Sequence, residues 1–298
     1  MSSTPLFVPF GGWQVQAQSP DLAAVVVLPV PYESGPSFGG GSHRGPLYIL
    51  NASTQLEDTD EVSGFAWADA GVYTEDPLFV GSDPKTAIPA IAEAAGAVLD
   101  RGKPFLALGG DHAITIGLVQ AAARRFPGLG VLQVDAHLDL RDRWNGSTYN
   151  HGCVMRRLAG DLGLPAVQVG IRAFASDERP VLKNLGLSPF WAHEIRPGDD
   201  SWIHEAVGRL PETVYLTLDV DGLDPSVIPG TGTPEPGGLS FRQVSELIRV
   251  LGQKRRLVAA DITELAPIPG SSLSEYTAAK LARNILVHGF FLGNRPTA

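Results

Sequence analysis

Three short polar clusters each close an apolar run in this chain, and their residue types bind divalent cations or move protons. Gly109-Gly110-Asp111-His112 follows Phe-Leu-Ala-Leu, Asp135-Ala136-His137-Leu138-Asp139 follows Val-Leu-Gln-Val, and Asp219-Val220-Asp221 follows Val-Tyr-Leu-Thr-Leu. Side chains alternate along an extended chain. The Asp-x-His-x-Asp spacing therefore turns Asp135, His137 and Asp139 to one side if strand geometry persists, and the same period sets Asp219 beside Asp221. Four carboxylates converging at the end of a buried sheet repel one another and force some to keep their protons. Two divalent cations remove that conflict, with His112 and His137 completing the set as neutral ligands. Six side chains cannot give two ions four separate contacts each, so some carboxylates must bridge. Bridging holds the ions roughly 3.5–4 Å apart, the separation of two-metal hydrolytic sites. A donor set of oxygen and nitrogen without sulfur favours Mn²⁺ over Zn²⁺ or Mg²⁺. A lone Asp-x-Asp is ordinarily a solvated loop or a helix cap; the conjunction of all three clusters at strand ends is what points to metal. Asp111 and Asp224, beside Gly and Pro, read as supporting or capping residues.

These clusters need a frame, and the composition is that of a packed domain. The chain has 298 residues, 44% hydrophobic and 18% charged, with mean hydropathy near zero. A net charge of −9 from 23 Lys+Arg and 32 Asp+Glu makes general phosphate-backbone binding a poor fit and a small cationic substrate a better one. Cys153 is the only cysteine, which excludes an intrachain disulfide and a cysteine-based zinc cluster. No Lys or Arg precedes Arg44, and no apolar run approaches the roughly 18 residues of a membrane span. The expectation is a cytoplasmic protein without nucleic-acid or membrane partners.

Near-continuous apolar runs at Ala24–Pro29, Phe105–Gly109, Val131–Val134, Val167–Ile171, Thr213–Leu218 and Leu257–Ile262 predict strands covered on both faces. Helical patterns lie between them. Asp83-Pro84 supplies an N-cap and first-turn proline for a helix ending at Gly102. Ser240 with Gln243 forms a capping box, and a last helix is expected over Thr277 to His288. Strand–helix alternation predicts a parallel sheet with helices on both faces, in a single domain over 1–298. Gly35–Pro46 and Asp224–Gly238 are too rich in Gly and Pro for helix or strand. Both follow strands, where open parallel sheets place their ligands.

GGDHAIT at 109–115, DAHLDL at 135–140 and LDVDGLDPSVIPGTGTPEPGGLS at 218–240 resemble the three signatures of the arginase/agmatinase (ureohydrolase) family. The resemblance extends from PVPYESGPSFGGGSHRGP at 30–46 to DITELAP at 261–267. It implies a three-layer α/β/α fold with an eight-stranded parallel sheet, a binuclear manganese centre, and a trimer or hexamer. Carried over by position, one Mn²⁺ takes His112, Asp135, Asp139 and Asp219, and the other takes Asp135, His137, Asp219 and Asp221. His151 matches a proton-shuttling histidine at the mouth, and Glu264 matches the glutamate that binds the substrate guanidinium; Asp139 is a second proton relay. His43, His193, His204 and His288 match no ligand position and read as structural, with His43 at the entrance. Cys153 reads as a small packed side chain.

The implied reaction is hydrolysis of a guanidino group to urea and a primary amine. Family arginases carry an Asn soon after the Asp-x-His-x-Asp motif, where this chain has Arg141. The segment ending in YNHGCVMRR is closer to the agmatinase branch, so agmatine, giving putrescine and urea, is the expected substrate. N1-aminopropylagmatine, arginine and 4-guanidinobutyrate are the alternatives, the last favoured if Arg141 faces into the mouth. Two other classes are a metal deacetylase of related fold, for which His112 and Asp139 would be superfluous, and a non-catalytic binding member, which would be expected to lack a ligand.

Overall fold

The computed structural model of the chain describes residues 7–196 and 198–293, so the outermost residues of the 1–298 domain lie outside it. All six apolar runs form strands, and two short strands complete the sheet. In chain order these are β1 (Val25–Val30), β2 (Val72–Thr74), β3 (Phe105–Gly109), β4 (Gly130–Val134), β5 (Ala166–Ile171), β6 (Phe190–Trp191), β7 (Thr213–Asp219) and β8 (Arg256–Thr263). They pair in the order β2-β1-β3-β8-β7-β4-β5-β6, every pair parallel. The strands the sequence did not mark are β2 and β6, too short for a hydrophobic period to register.

Alternate residues of each strand feed two apolar layers. Val25 and Val27 of β1 join one core cluster, while Val26, Leu28 and Val30 join the other. That is the physical reason the strands read as unbroken apolar runs: neither face meets water. Helices α2 (Pro84–Asp100) and α3 (Ile114–Arg125) cover the second layer; α1 (Gly45–Ser53), α5 (Ser201–Gly208), α6 (Phe241–Lys254) and α7 (Leu273–Asn284) cover the first. A seventh helix, α4 (Glu178–Asn184), follows β5. The result is a three-layer α/β/α sandwich.

The local signals for helix ends hold where they rest on a capping side chain. Asp83 accepts from the Lys85 N–H at the start of α2, and both bonds of the Ser240/Gln243 capping box are made at the start of α6. The last helix departs from expectation. It begins at Leu273, four residues before Thr277, and continues from Ile285 to Phe291 as a π-helical turn past His288. Its first turn carries exposed Leu273 on a face with no apolar period to read. The Gly35–Pro46 stretch is irregular only in its first part: Ser42–Arg44 is a 3₁₀ turn, and Gly45-Pro46 opens α1, with Pro tolerated in a first helical turn. No helix among the described residues is long and apolar enough to cross a membrane.

The carboxyl ends of four adjacent central strands, β3, β8, β7 and β4, lie side by side, and each is followed by one of the polar clusters or by Glu264. Gly110 makes this convergence possible. It runs so close beneath the Tyr32 carbonyl that a Cβ would collide with it, and its own carbonyl accepts the Glu264 N–H at 2.7 Å. The obstructing atoms are backbone and cannot rotate away. Gly110→Ala is therefore expected to lower the unfolding free energy by roughly 1–3 kcal/mol. Urea denaturation followed by circular dichroism measures it, and an unchanged midpoint would count against this packing.

Candidate active site

His112 lies at the centre of the first group. Its Nδ1 faces three carboxylate oxygens: Asp139 Oδ2 at 3.0 Å, Asp135 Oδ2 at 3.3 Å and Asp219 Oδ2 at 3.5 Å. Its Nε2 is 2.9 Å from Thr217 Oγ1, and Thr217 donates its proton to Asp261 Oδ1 at 2.7 Å. A hydroxyl that has given its proton away can only accept from its other neighbour, so Nε2 carries the imidazole proton. The lone pair of a neutral His112 is thus on Nδ1, aimed at three acids and without a hydrogen-bond partner. In the protein alone, those acids hold the imidazole protonated: burial opposes the charge, and the Asp135 and Asp139 carboxylates beside Nδ1 outweigh it, raising the pKa well above its ordinary value.

Asp135 belongs to both groups. Its Oδ2 faces His112, and its Oδ1 lies 3.5 Å from His137 Nδ1, which also approaches Asp221 Oδ2 at 3.0 Å. The Gln133 amide donates to Asp135 Oδ2 at 2.7 Å, and the His137 N–H to Oδ1 at 2.6 Å. Asp219 approaches the first group more loosely, and its Oδ1 takes the Asp221 N–H at 2.9 Å. Five of the six expected ligands thus fall into two tight sets, His112/Asp135/Asp139 and Asp135/His137/Asp221, with Asp219 beside them.

The clustering arises differently from the period-two expectation. β4 ends at Val134, and Asp139 has φ 53°, a left-handed conformation that costs a non-glycine residue about 1–3 kcal/mol. Extended geometry does not persist through Asp139, whose carboxylate joins the group from left-handed backbone. Asp219 and Asp221 likewise meet through a 3₁₀ turn at Val220–Gly222 rather than along a strand.

A third set, Asp111, His151 and Glu264, stands beside the first two. Glu264 also has positive φ, 63°, where β8 ends, and its Oε1 accepts the His112 N–H at 2.6 Å. Burial first, then Asp111, pushes its carboxyl up to about 8. Asp139 is raised to about 6, by burial and then by Asp135, and Asp219 well above its ordinary value, by burial and then by Asp221. His151 Nδ1 faces Asp111 Oδ2 at 3.7 Å; burial opposes the charge, but Asp111 outweighs it and lifts the imidazole to about 9. Asp111 accepts from the Ser34 and Ala113 N–H groups, and Asp224 from those of Ser226, Gly237 and Gly238, so each ties down a loop.

A cleft of ≈ 320 Å³ opens over these groups, lined at its floor by Asp139, Asp219, Asp221 and Glu264 and at its mouth by Arg141 and Trp144. His43 does not line it: the ring bonds Glu33 Oε2 at 2.6 Å, and Glu33 lines the cleft instead. His288 pairs with buried Asp60 at 3.3 Å. Cys153 is buried, and burial pushes its thiol up to about 12, which leaves it inert.

Several supporting residues escaped the sequence analysis. Gln133, Thr217 and Asp261 are buried polar positions inside apolar strands; that interruption is the signal that could have found them. Asp261 gathers the hydroxyls of Tyr215, Thr115 and Thr217. Arg172 gave no signal. Its guanidinium donates to the Gly170, Asp221, Leu223 and Glu235 carbonyls, stapling the Asp219–Asp221 turn to the loop after it.

The raised Glu264 carboxyl links stability to pH. The folded protein keeps a proton that the unfolded chain has lost between about 4.5 and about 8, so this group's contribution to stability falls as pH rises through that window. Glu264→Gln has no such proton. In the metal-free protein its unfolding free energy is expected to gain on the parent steadily from pH 4.5 to 8; a difference constant with pH would contradict the burial.

The sequence and the fold agree with known proteins. The sequence profile of the Arginase family matches residues 23–288. An N(1)-aminopropylagmatine ureohydrolase of Synechocystis is 40% identical over 272 residues, covering 89% of this chain and 88% of its own, and another from Thermus thermophilus is 42% identical over 264, covering 87% and 88%. The crystal structure of the agmatine ureohydrolase of Thermoplasma volcanium superposes with a TM-score of 0.85 at 30% identity, covering 94% of this chain and 95% of that one. A parallel eight-stranded sheet, paired acid–imidazole groups at its carboxyl edge and relatives that are C–N hydrolases lead to one assignment: the chain belongs to the arginase family.

Proposed function

We propose that this protein hydrolyses the guanidinium group of a small agmatine-type guanidine, releasing urea and a primary amine, with two Mn²⁺ ions as its cofactor. The observation that carries the reading is the crowding at His112, whose buried Nδ1 lies within 3.5 Å of the Asp135, Asp139 and Asp219 carboxylates. Without a cation the cluster must hold surplus protons, which is why Asp139, Asp219 and Glu264 all sit high; cations replace those protons. His112, Asp135, Asp139 and Asp219 would hold one ion and Asp135, His137, Asp219 and Asp221 the other, Asp135 and Asp219 serving both. When bound, the pair supplies Lewis acidity and a water that ionises at neutral pH.

The protein's own groups do the rest. Glu264 has one oxygen engaged by the His112 N–H and one left to accept from a guanidinium, whose charge would draw the carboxyl into its ionised form. That contact orients the poorly electrophilic guanidinium carbon toward the floor of the cleft. Asp139 at the floor and His151 above it would pass a proton to the departing amine. Arg141 lines the mouth with its guanidinium over the Trp144 ring at 4.0 Å. It keeps its charge there, so 4-guanidinobutyrate retains the support a cation at the mouth gives it, and the preference for a cationic tail rests on the names of the relatives. Agmatine is the first expectation from the sequence; the names of relatives at 40–42% identity favour the N1-aminopropyl derivative as its competitor.

Urea release from agmatine, N1-aminopropylagmatine, arginine and 4-guanidinobutyrate, each with Mn²⁺, tests the reading. One of the first two is expected to dominate, and no urea from any of the four would leave a binding protein. Asp135→Ala is expected to lose bound metal by elemental analysis. Glu264→Gln is expected to retain it while turnover drops about 10²-fold, the scale of lost orientation. His151→Asn should slow turnover with metal content intact.

A further inference from the structure

Arg141, Trp144 and Ser37 take no part in the chemistry above, yet they make a continuous chain that ends on His151. The Arg141 guanidinium covers the Trp144 ring, and its backbone N–H bonds the Gly152 carbonyl at 3.1 Å. Trp144 donates its indole N–H to Ser37 Oγ at 3.1 Å, and Ser37 Oγ lies 2.7 Å from His151 Nε2. The indole nitrogen is only a donor, so it occupies a lone pair of the hydroxyl and leaves Ser37 one proton to give and one lone pair to offer. Ser37 can thus donate to a neutral His151 at Nε2, or accept from Nε2 when the imidazole is protonated. In both states the other nitrogen, Nδ1, faces Asp111, in the same set as Glu264.

We propose that Ser37, fixed by Trp144 and Arg141, is a positioning residue for His151: it ties Nε2 outward at the mouth so that Nδ1 stays turned toward the floor, where the amine leaves. The chain crosses between the loop after β1 and the loop after β4, two segments that no sheet pairing joins. It rests on the reading of His151 as the proton donor for catalysis, but the ring orientation itself is a property of the protein without substrate. It also gives Arg141 a task other than reading a substrate carboxylate. Because Asp111 holds the His151 proton well above neutrality, both ring N–H groups are present at pH 7 and can be observed directly.

The test has two arms. In the full chain freed of metal by chelation and labelled with ¹⁵N-histidine, His151 (assigned by its loss in His151→Asn) is expected to show two exchange-protected ring N–H resonances at pH 7. Ser37→Ala should lose the Nε2–H resonance and keep Nδ1–H; Ser37→Thr should restore it; Trp144→Phe and Arg141→Met should broaden it. With Mn²⁺, Ser37→Ala is expected to lower kcat about tenfold with KM within twofold, and Ser37→Thr to recover most of it. An Nε2–H resonance that survives Ser37→Ala overturns the proposal whatever the activity. So does Arg141→Met acting only on KM for 4-guanidinobutyrate, which would make Arg141 a carboxylate reader. If no substrate is hydrolysed but the resonances behave as stated, the positioning stands and the catalytic reading falls.

Discussion

Four aspartates and two histidines crowd into a water-poor space at the carboxyl edge of the sheet, and the rest of the molecule is arranged around that crowding. Like charges a few ångströms apart in a buried site are tolerated only if protons or cations stand between them. In the protein alone protons fill that role: imidazoles stay protonated, and Asp139, Asp219 and Glu264 resist ionisation. Asp135 stays ionised despite its burial, because His112 and His137 flank it. An acid cluster of this kind is a high-energy arrangement that divalent cations relieve, and the same tension gives such a site its affinity for them.

Holding that tension takes a rigid frame. The six acid and imidazole side chains sit at the ends of three central strands, β3, β4 and β7, and Glu264 at the end of a fourth, β8, and a second layer of buried polar groups grips them from below. Asp261 draws in three hydroxyls, one of which fixes the proton of His112 on Nε2; the Gln133 amide pins Asp135; Arg172 locks the turn that carries Asp221. Buried polar groups of this sort are favourable only when fully partnered, and most of these are. Left-handed backbone at Asp139 and Glu264 is the local cost of turning both carboxyls inward, and the packed sheet over-determines both positions.

The mouth of the cleft is held differently. There the contacts run between loops: Trp144 to Ser37, Ser37 to His151, His151 to Asp111. A floor set by strands and a rim set by loop-to-loop contacts divide the labour expected of a hydrolase on a parallel sheet, with chemistry fixed below and substrate selection above.

Much of this was legible from residues alone. The apolar runs gave six of the eight strands, because a strand covered on both faces leaves no polar period. Residue types and their placement after those runs singled out His112, Asp135, His137, Asp139, Asp219 and Asp221 without any coordinates. The edge strands β2 and β6 were not legible, being two or three residues long and defined by their neighbours. Nor was the route by which these side chains meet: a period of two predicted convergence along extended chain, whereas Asp139 has left-handed backbone and Val220–Gly222 coils into a 3₁₀ turn. His151 and Glu264 could be named only through a resemblance, since nothing in their flanks distinguishes them from surface residues. The sequence by itself determined which chemistry is present, because chemistry belongs to side-chain type. Tertiary structure alone decided which nitrogen of a neutral His112 keeps its proton, what Arg141 faces and what steadies His151, because those depend on contacts between segments far apart in the chain.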